Sequence, residues 1–588
     1  MLTQIGLLQI SVYLFTLLLL VKPLGWYMAT VYEGRPFLLN RVGRPVERLL
    51  CRLCSIQSDQ EMDWKQYLSS MLIFNLFGLI AVYLIQRFQM VLPLNPQHFA
   101  APDADSAINT AISFVTNTNW QAYSGETTLS YLTQMLALTT QNFLSAATGM
   151  SLVIAFARGL GRRESKNIGN FWVDTIRGIL YILLPLAFIF ACVLVSQGVI
   201  QNVQPNLHVQ LVAPINYNHP DMTTVTEQVI PMGPVASQEA IKQLGTNGGG
   251  FFSVNAAHPF ENPTPITNFL EMLAILLIPA AFCYTFGIIV HDKRQGWAIL
   301  GAMFMIFIPC VVAAVVSEQA GNPAFTSLGI SQKADAPNAA GGNMEGKETR
   351  FGIVSSALWA TATTASSNGS VNAMHDSFTP LGGLIPLWVM HLGEVIFGGV
   401  GSGLYGMLML VIITVFIAGL MVGRTPEYLG KKIDPFEMKM ASIAVLIMPL
   451  TVLLATAVAA VTKVGASSIA NPGAHGLTEI LYAFTSMASN NGSAFAGLKA
   501  NTPFYNLLGG LLMLIGRYWI AILTLAIAGS LVQKRKISNT SGTLGTHTPL
   551  FVILLVIVII ILGALSFLPV LALGPIVEQL NLWGNYGH

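Results

Sequence analysis

A stretch of bare, polar backbone recurs four times in this chain at nearly constant intervals, each time between long apolar segments. The fullest copy is Gly245-Thr246-Asn247-Gly248-Gly249-Gly250-Phe251-Phe252; the others are Thr116–Trp120, Ser366–Ser370 and Ser489–Phe495. Aligned on the residue that follows an asparagine, Thr118, Gly248, Gly369 and Gly492 share one position, 130, 121 and 123 residues apart. A repeat of that length dictates the architecture before any local reading does. One Asn-Gly is an ordinary turn, but four at this spacing between apolar segments ask for a common role.

The flanking segments read as membrane spans. Of 588 residues, 53% are hydrophobic and 10% charged, where soluble domains carry about 25% charged. Apolar runs of about 20 residues predict ten spans, near 4–24, 67–92, 128–157, 172–197, 265–291, 296–317, 383–421, 439–461, 505–532 and 550–572. The first has no basic segment ahead of it and reads as a span, not a cleaved signal. The net charge of +2 gives no sign of a nucleic-acid partner. Basic residues instead alternate between connections: Arg35 to Lys65, Arg158 to Lys166, Lys293–Arg294, Arg424 to Lys439 and Lys534 to Lys536, with none between Arg87 and Arg158 or after Lys536. Basic loops stay cytoplasmic, so both termini are expected outside and all four polar runs enter from outside.

The expected fold is therefore an all-α polytopic membrane protein. Four pseudo-symmetric helix–re-entrant loop–helix repeats surround one pore, with an extra span at each end, a parallel-repeat plan known in transporters. The expected divisions are 1–66 (first span and connection), 67–171, 172–295, 296–437 and 438–536 (four repeats), and 537–588 (last span and outer C-terminus). The polar segments Gly198–Ser237 and Glu318–Lys347 read as outer loops.

Irregular backbone at membrane depth persists only where protein buries it or where it lines a watery path. Brought together, four such runs form a ring of carbonyls that replaces a cation's hydration shell. Glycine suits the task because it reaches positive φ without a Cβ clash. Each run follows a segment expected to be helical (Ala107–Phe114, Gln238–Leu244, Arg350–Thr361, Leu477–Thr485), whose negative end favours a cation. The candidate filter residues are Asn117, Thr118, Asn119, Thr246, Asn247, Gly248, Ser367, Asn368, Gly369, Asn490, Asn491 and Gly492. Thr118 departs from glycine and resists positive φ, so its quadrant is expected to be built differently. Gln121 and Phe251, with Trp120, Phe252 and Phe495, are expected behind the ring, plain core packing being the simpler account of the aromatics.

The seventh apolar stretch is nearly twice the length a span needs, and Gly398–Gly406 holds five glycines in nine residues. Close helix packing through small residues is one reading. The preferred reading is a helix broken beneath the ring, its loop (Gly401, Ser402, Gly403) blocking or redirecting the ion. Intramembrane charges are costly and functional by default. Arg517 is read as a fixed cation that raises the barrier to straight passage. Glu394 attracts the departing cation or pairs with Arg517, a structural ion pair being the alternative. Glu271 and Asp174 lie nearer span ends and read as interfacial.

Other motifs carry little. Gly341–Glu348 nearly spells a P-loop, but Glu348 stands where Ser or Thr should hold magnesium, and no strand precedes it. No aspartyl-phosphate signature is present, so this chain itself is not expected to hydrolyse ATP. Cys51 and Cys54 form a lone CxxC without the second pair a zinc site needs; Cys192, Cys283 and Cys310 lie in apolar spans and read as core.

Taken together, Ser113–Glu126, Gly245–Phe252, Ser367–Ser370, Gly398–Gly406 and Asn490–Phe495 resemble the A subunit of the bacterial potassium-transporting ATPase, the KdpA family, over essentially the whole chain. The resemblance implies a subunit of the bacterial cytoplasmic (inner) membrane that selects K+ from outside and passes it to a separate P-type ATPase B subunit. It also implies a C subunit and a small F subunit as partners within the bilayer, and no cofactor beyond the transported K+. No TVGYG run occurs, so preference for K+ over Na+ rests on the resemblance. The rival is a self-sufficient K+ channel or ion-coupled symporter of the same superfamily.

Overall fold

Backbone N–H and C=O groups in hydrocarbon find no water, so each long apolar run closes its hydrogen bonds on itself as a helix. The computed structural model describes residues 3–37, 39–219, 221–334, 341–537 and 545–586. Residues 335–340 of the expected outer loop Glu318–Lys347, and 587–588 of the expected outer C-terminus, lie outside the described residues.

In chain order the main helices are α1 (Gln4–Tyr32), α2 (Asn40–Leu53), α3 (Trp64–Phe88), α4 (Ala104–Val115), α5 (Thr133–Gly161) and α6 (Phe171–Ser196). A β-ribbon follows, then α7 (Val235–Leu244), α8 (Pro265–Ile289), α9 (Lys293–Gln319), α10 (Gly352–Ala365) and α11 (Pro380–His391). The last are α12 (Ser402–Val422), α13 (Pro435–Val461), α14 (Ala474–Ala488), α15 (Pro503–Gln533) and α16 (Pro549–Asn585). Among the described residues ten helices are long and apolar enough to cross a membrane: α1, α3, α5, α6, α8, α9, α12, α13, α15 and α16. The protein is a mostly helical, multi-pass membrane protein.

Local chemistry sets the helix starts. Asp63 accepts from the backbone N–H of Lys65 and Gln66 while Gln66 returns a bond to Asp63, a capping box that opens α3. Thr264 and Thr267 do the same for α8, with Pro265 at the first helical position. α5 and α8 are inner helices, buried over 83% of their most apolar windows, whereas α3 is buried over 17% and presents Leu76 and Phe77 outward.

Four details differ from the sequence reading. The loop before α7, expected outside, contains an antiparallel ribbon, β1 (Leu207–His219) paired with β2 (Asp221–Ile230), with an irregularity between Gln210 and Ile215. Cys192 is exposed on α6, not in the core. Asp174 is buried, with a bidentate ion pair to Arg158 (2.6 and 2.8 Å). Glu271 is likewise fully buried. Asp174 enters the core because Arg158 meets it there, and spacing from a span end does not reveal that.

Candidate functional site

The four short helices α4, α7, α10 and α14 each stop at the same distance from a left-handed residue. Two residues past each helix come Asn117, Thr246, Ser367 and Asn490, all at positive φ (66°, 47°, 55° and 59°). Two residues further come Asn119, Gly248, Gly369 and Gly492, again at positive φ (54°, 69°, 88° and 101°). The register of the first run is therefore corrected by one residue. Asn119, not Thr118, is equivalent to the three glycines, and Thr118 is equivalent to Asn247, Asn368 and Asn491. Asn tolerates the left-handed region that threonine avoids, so the departure at Thr118 disappears.

The runs meet one another in sequence order and close. A Cβ on Gly248 would overlap the Asn368 carbonyl oxygen, one on Gly369 the Asn491 oxygen, and one on Gly492 the Thr118 oxygen. Each glycine therefore sits against the carbonyl of the next quadrant, with no space for a side chain. Between the first and second quadrants, Asn119 Nδ2 donates to the Gly248 carbonyl (3.1 Å) and Asn117 Nδ2 to that of Thr246 (2.8 Å). Side chains staple each quadrant to the one before it. Asn247 Nδ2 donates to Asn117 Oδ1 (2.6 Å), Asn368 Nδ2 to the Lys242 carbonyl (3.1 Å) and Asn491 Nδ2 to that of Thr363 (2.9 Å). Asn490 Nδ2 donates to Thr118 Oγ1 (3.0 Å), which joins the fourth quadrant to the first. Gln121 Oε1 accepts from the Gly250 N–H (2.8 Å) behind the ring, and Trp120, Phe251, Phe252 and Phe495 are buried.

A charged brace that the sequence reading did not include supports the second quadrant. Lys242 on α7 is fully buried between Glu239 and Glu261, its Nζ 2.5 Å from an oxygen of each. Glu261 also accepts from the Phe252 N–H (2.8 Å), Gln243 donates to Glu239 (2.7 Å), and Ser370 of the third run donates to Gln243 (2.9 Å). The signal was available: Glu239 and Lys242 stand three apart on a short helix that ends at the glycine run, the spacing of a helical ion pair.

Below the ring the seventh apolar stretch is interrupted. α11 ends at His391, α12 begins at Ser402, and the intervening loop has positive φ at Gly393, Glu394, Phe397, Gly398 and Gly401. It is tied directly to the ring. Val400 N–H donates to Thr246 Oγ1 (2.8 Å), and Gly398 N–H to the Ala365 carbonyl at the end of α10 (2.8 Å). Gly401 packs on Gly149 of α5 and Gly403 on Phe397 so closely that neither position has space for a Cβ. Left-handed Glu394 and Phe397 are the kind of backbone strain that surrounding structure must hold in place.

A cavity of about 100 Å³ lies against this loop. Its walls include Ser367, Glu394, Ser402, Ser489, Asn490 and Arg517, then Met448 of α13 and Ile559 of α16. Both carboxylate oxygens of Glu394 are buried without a hydrogen-bond partner. Arg517 occupies a π-helical turn (Ile515–Trp519) within α15, is buried, and donates to the Ser145 carbonyl (3.2 Å). Glu394 and Arg517 line one cavity, and no ion pair joins them.

At the N-terminal end of α14, His475 bridges Asp376 (Nε2 to Oδ1, 3.0 Å) and Glu578 (Nδ1 to Oε1, 2.8 Å). Burial opposes its charge, but the hydrogen bonds it donates to the two carboxylates outweigh burial and push the imidazole up to about 10. A raised pKa means that the bridge contributes fully below about 6.5, the unfolded value, and is lost as pH rises through about 10. The melting temperature of the wild type is therefore expected to fall across that window, and that of His475→Gln to change less. Parallel melting curves in detergent check this; equal slopes would refute the bridge.

The family described as the potassium-transporting ATPase A subunit matches residues 11–580. Chains described as the potassium-transporting ATPase potassium-binding subunit are similar at 61% identity. That of Methylococcus capsulatus aligns over 99% of this chain and 100% of its own length, and that of Herpetosiphon aurantiacus over 98% of each. The crystal structure of the potassium transporter TrkH from Vibrio parahaemolyticus shares the fold, with a TM-score of 0.50 at 12% identity over 86% of this chain and 97% of that one. The chain belongs to the potassium-transporting ATPase A-subunit family.

Proposed function

We propose that this chain is the potassium-binding and translocating subunit of an ATP-driven uptake complex, in the bacterial inner membrane with both termini outside. K+ enters from the outside and exchanges its water for the ring built by Asn117–Asn119, Thr246–Gly248, Ser367–Gly369 and Asn490–Gly492. The single observation that carries this reading is the closure of the ring, in which three glycines at positive φ each lie against a carbonyl of the next run. Such rigid, side-chain-free carbonyl backbone is what a dehydrated cation requires.

The ion then meets the loop containing Gly401, Ser402 and Gly403, which is bonded to the underside of the ring at Val400. Glu394, with two unsatisfied oxygens, draws the cation into the cavity, and Arg517 repels it from the straight path. The cavity wall formed by α13 and α16 supports a sideways exit toward a P-type ATPase B subunit, with C and F subunits completing the complex.

Reconstitution tests this reading. The purified chain alone in K+-loaded liposomes is expected to give no flux above empty vesicles, and ATP-dependent K+ movement is expected once the ATPase partner is present. Sustained ATP-independent flux through the chain alone would establish the channel or symporter reading instead.

A further inference from the structure

The helix α2 takes no part in the ring, the loop or the cavity, yet its sequence is sharply sorted around its axis. At 3.6 residues per turn, Arg41, Arg44, Arg48 and Arg52 fall on one face, and Val46, Leu49, Leu50 and Leu53 on another. A third edge is strapped to the start of α6. Glu47 accepts from Arg177 Nε (2.9 Å) and from the Tyr181 hydroxyl (2.7 Å), and Gly43 lies against the Tyr181 ring with no space for a Cβ. Cys51, on the same edge, is buried.

That strap fixes the roll of the helix and leaves both other faces uncovered. Leu49 is 56% and Leu53 73% exposed. None of the four arginines has an acidic partner among the described residues; Arg48 donates only to the Arg44 carbonyl. An uncovered leucine row is unfavourable against water, and four unneutralised guanidinium groups call for anions. One environment supplies both, because phospholipid offers acyl chains beside phosphates. α2 begins eight positions after the last residue of the span α1, so it lies where the chain leaves the hydrocarbon.

We propose that α2 is an interfacial anchor for anionic phospholipid. Leu49, Leu53 and Val46 sink into the acyl boundary, and the arginine face binds lipid phosphates, for which the planar guanidinium is suited. The strap through Glu47 transmits the position of that leaflet to α6. This proposal rests on the membrane-spanning fold and not on the route of the ion.

The test uses the full chain in its complex, reconstituted in phosphatidylcholine vesicles with and without phosphatidylglycerol. A fluorophore is placed at Leu49→Cys or Arg48→Cys, with exposed Cys54 and Cys192 changed to Ser. The Leu49 probe is expected to be quenched by lipid carrying a spin label high on its acyl chain, and the Arg48 probe by aqueous iodide. Phosphatidylglycerol retained on the detergent-released complex, read by native mass spectrometry, is expected to fall about fivefold for each arginine changed to Gln, the effect of one surface-bound basic residue. K+ affinity in Arg44→Gln/Arg48→Gln/Arg52→Gln reports that the fold survives. A Leu49 probe reached by iodide, or shielded from both quenchers as it would be under a protein partner, overturns the proposal. So does lipid retention that ignores the arginines.

Discussion

Gly248→Ala is expected to destroy high-affinity K+ uptake while leaving insertion and assembly intact. Two effects act on the same atom. At φ of 69° an L side chain is strained by about 1–2 kcal/mol. The added Cβ would also overlap the Asn368 carbonyl, which cannot retreat while Asn368 Nδ2 holds Lys242. Moving that carbonyl by a few tenths of an ångström costs binding in a site whose only chemistry is carbonyl position. A loss of about 3 kcal/mol corresponds to roughly a hundredfold weaker K+ affinity, with discrimination against Na+ falling in parallel. Gly248→Asp should be more severe, since it adds a charge as well. Two controls separate the causes. Gly473 also has positive φ (80°) but open space around its missing Cβ, so Gly473→Ala tests strain alone. Gly301 has ordinary φ and open space, so Gly301→Ala should be silent. Uptake assays over a K+ concentration series, with Na+ competition, decide the matter. Unchanged affinity and ion preference in Gly248→Ala would remove the ring from the transport path.

The spans were legible because hydrocarbon imposes a single solution on a long apolar run, and the near-constant interval marked the four runs as a set. What sequence concealed was register and partnership. Thr116-Asn117-Thr118-Asn119 carries a threonine where the other runs carry the anchoring asparagine, so alignment on Asn117 shifts the first quadrant by one residue. Counting from the end of α4 would have corrected it, since the left-handed pairs stand at fixed distances from all four helix ends. Glu271 and Asp174 looked interfacial by position, but burial depends on neighbours such as Arg158, whose approach to Asp174 is a tertiary event. The ribbon β1–β2 was hidden for a different reason: its two alternating stretches, 207–211 and 215–218, are separated by Val212-Ala213-Pro214 at the irregularity, and β2 is mostly polar, so no long period-two run marks the pairing. The brace around Lys242 shows the converse, a local spacing that was visible but had no assigned purpose until the ring placed Phe252 and Ser370 at its two ends.

Arg517→Gln is expected to open an ATP-independent K+ leak. Keeping a guanidinium inside the membrane is costly, and among the described residues its one hydrogen bond is to the Ser145 carbonyl. On the proposed route, a group held at that expense, in a π-helical turn of the kind that collects at functional sites, acts through its charge. A unit charge about 8 Å from a cation's path raises the barrier by roughly 2 kcal/mol at an effective dielectric of about 20, or about thirtyfold in passage rate. Removing the charge while keeping the bulk should therefore raise downhill K+ flux in liposomes by about that factor without ATP, and lower the K+ moved per ATP hydrolysed by the complex. Arg517→Lys keeps the charge and should stay tight, whereas a role that needed the shape of the guanidinium would be lost in that variant too. Glu394 sharpens the test. With no ion pair between them, Glu394→Gln should slow delivery from the ring without causing a leak, and the double variant should leak as Arg517→Gln does. If both single variants leaked alike, the two side chains would be acting as one lock, and the division into attraction by Glu394 and repulsion by Arg517 would fail.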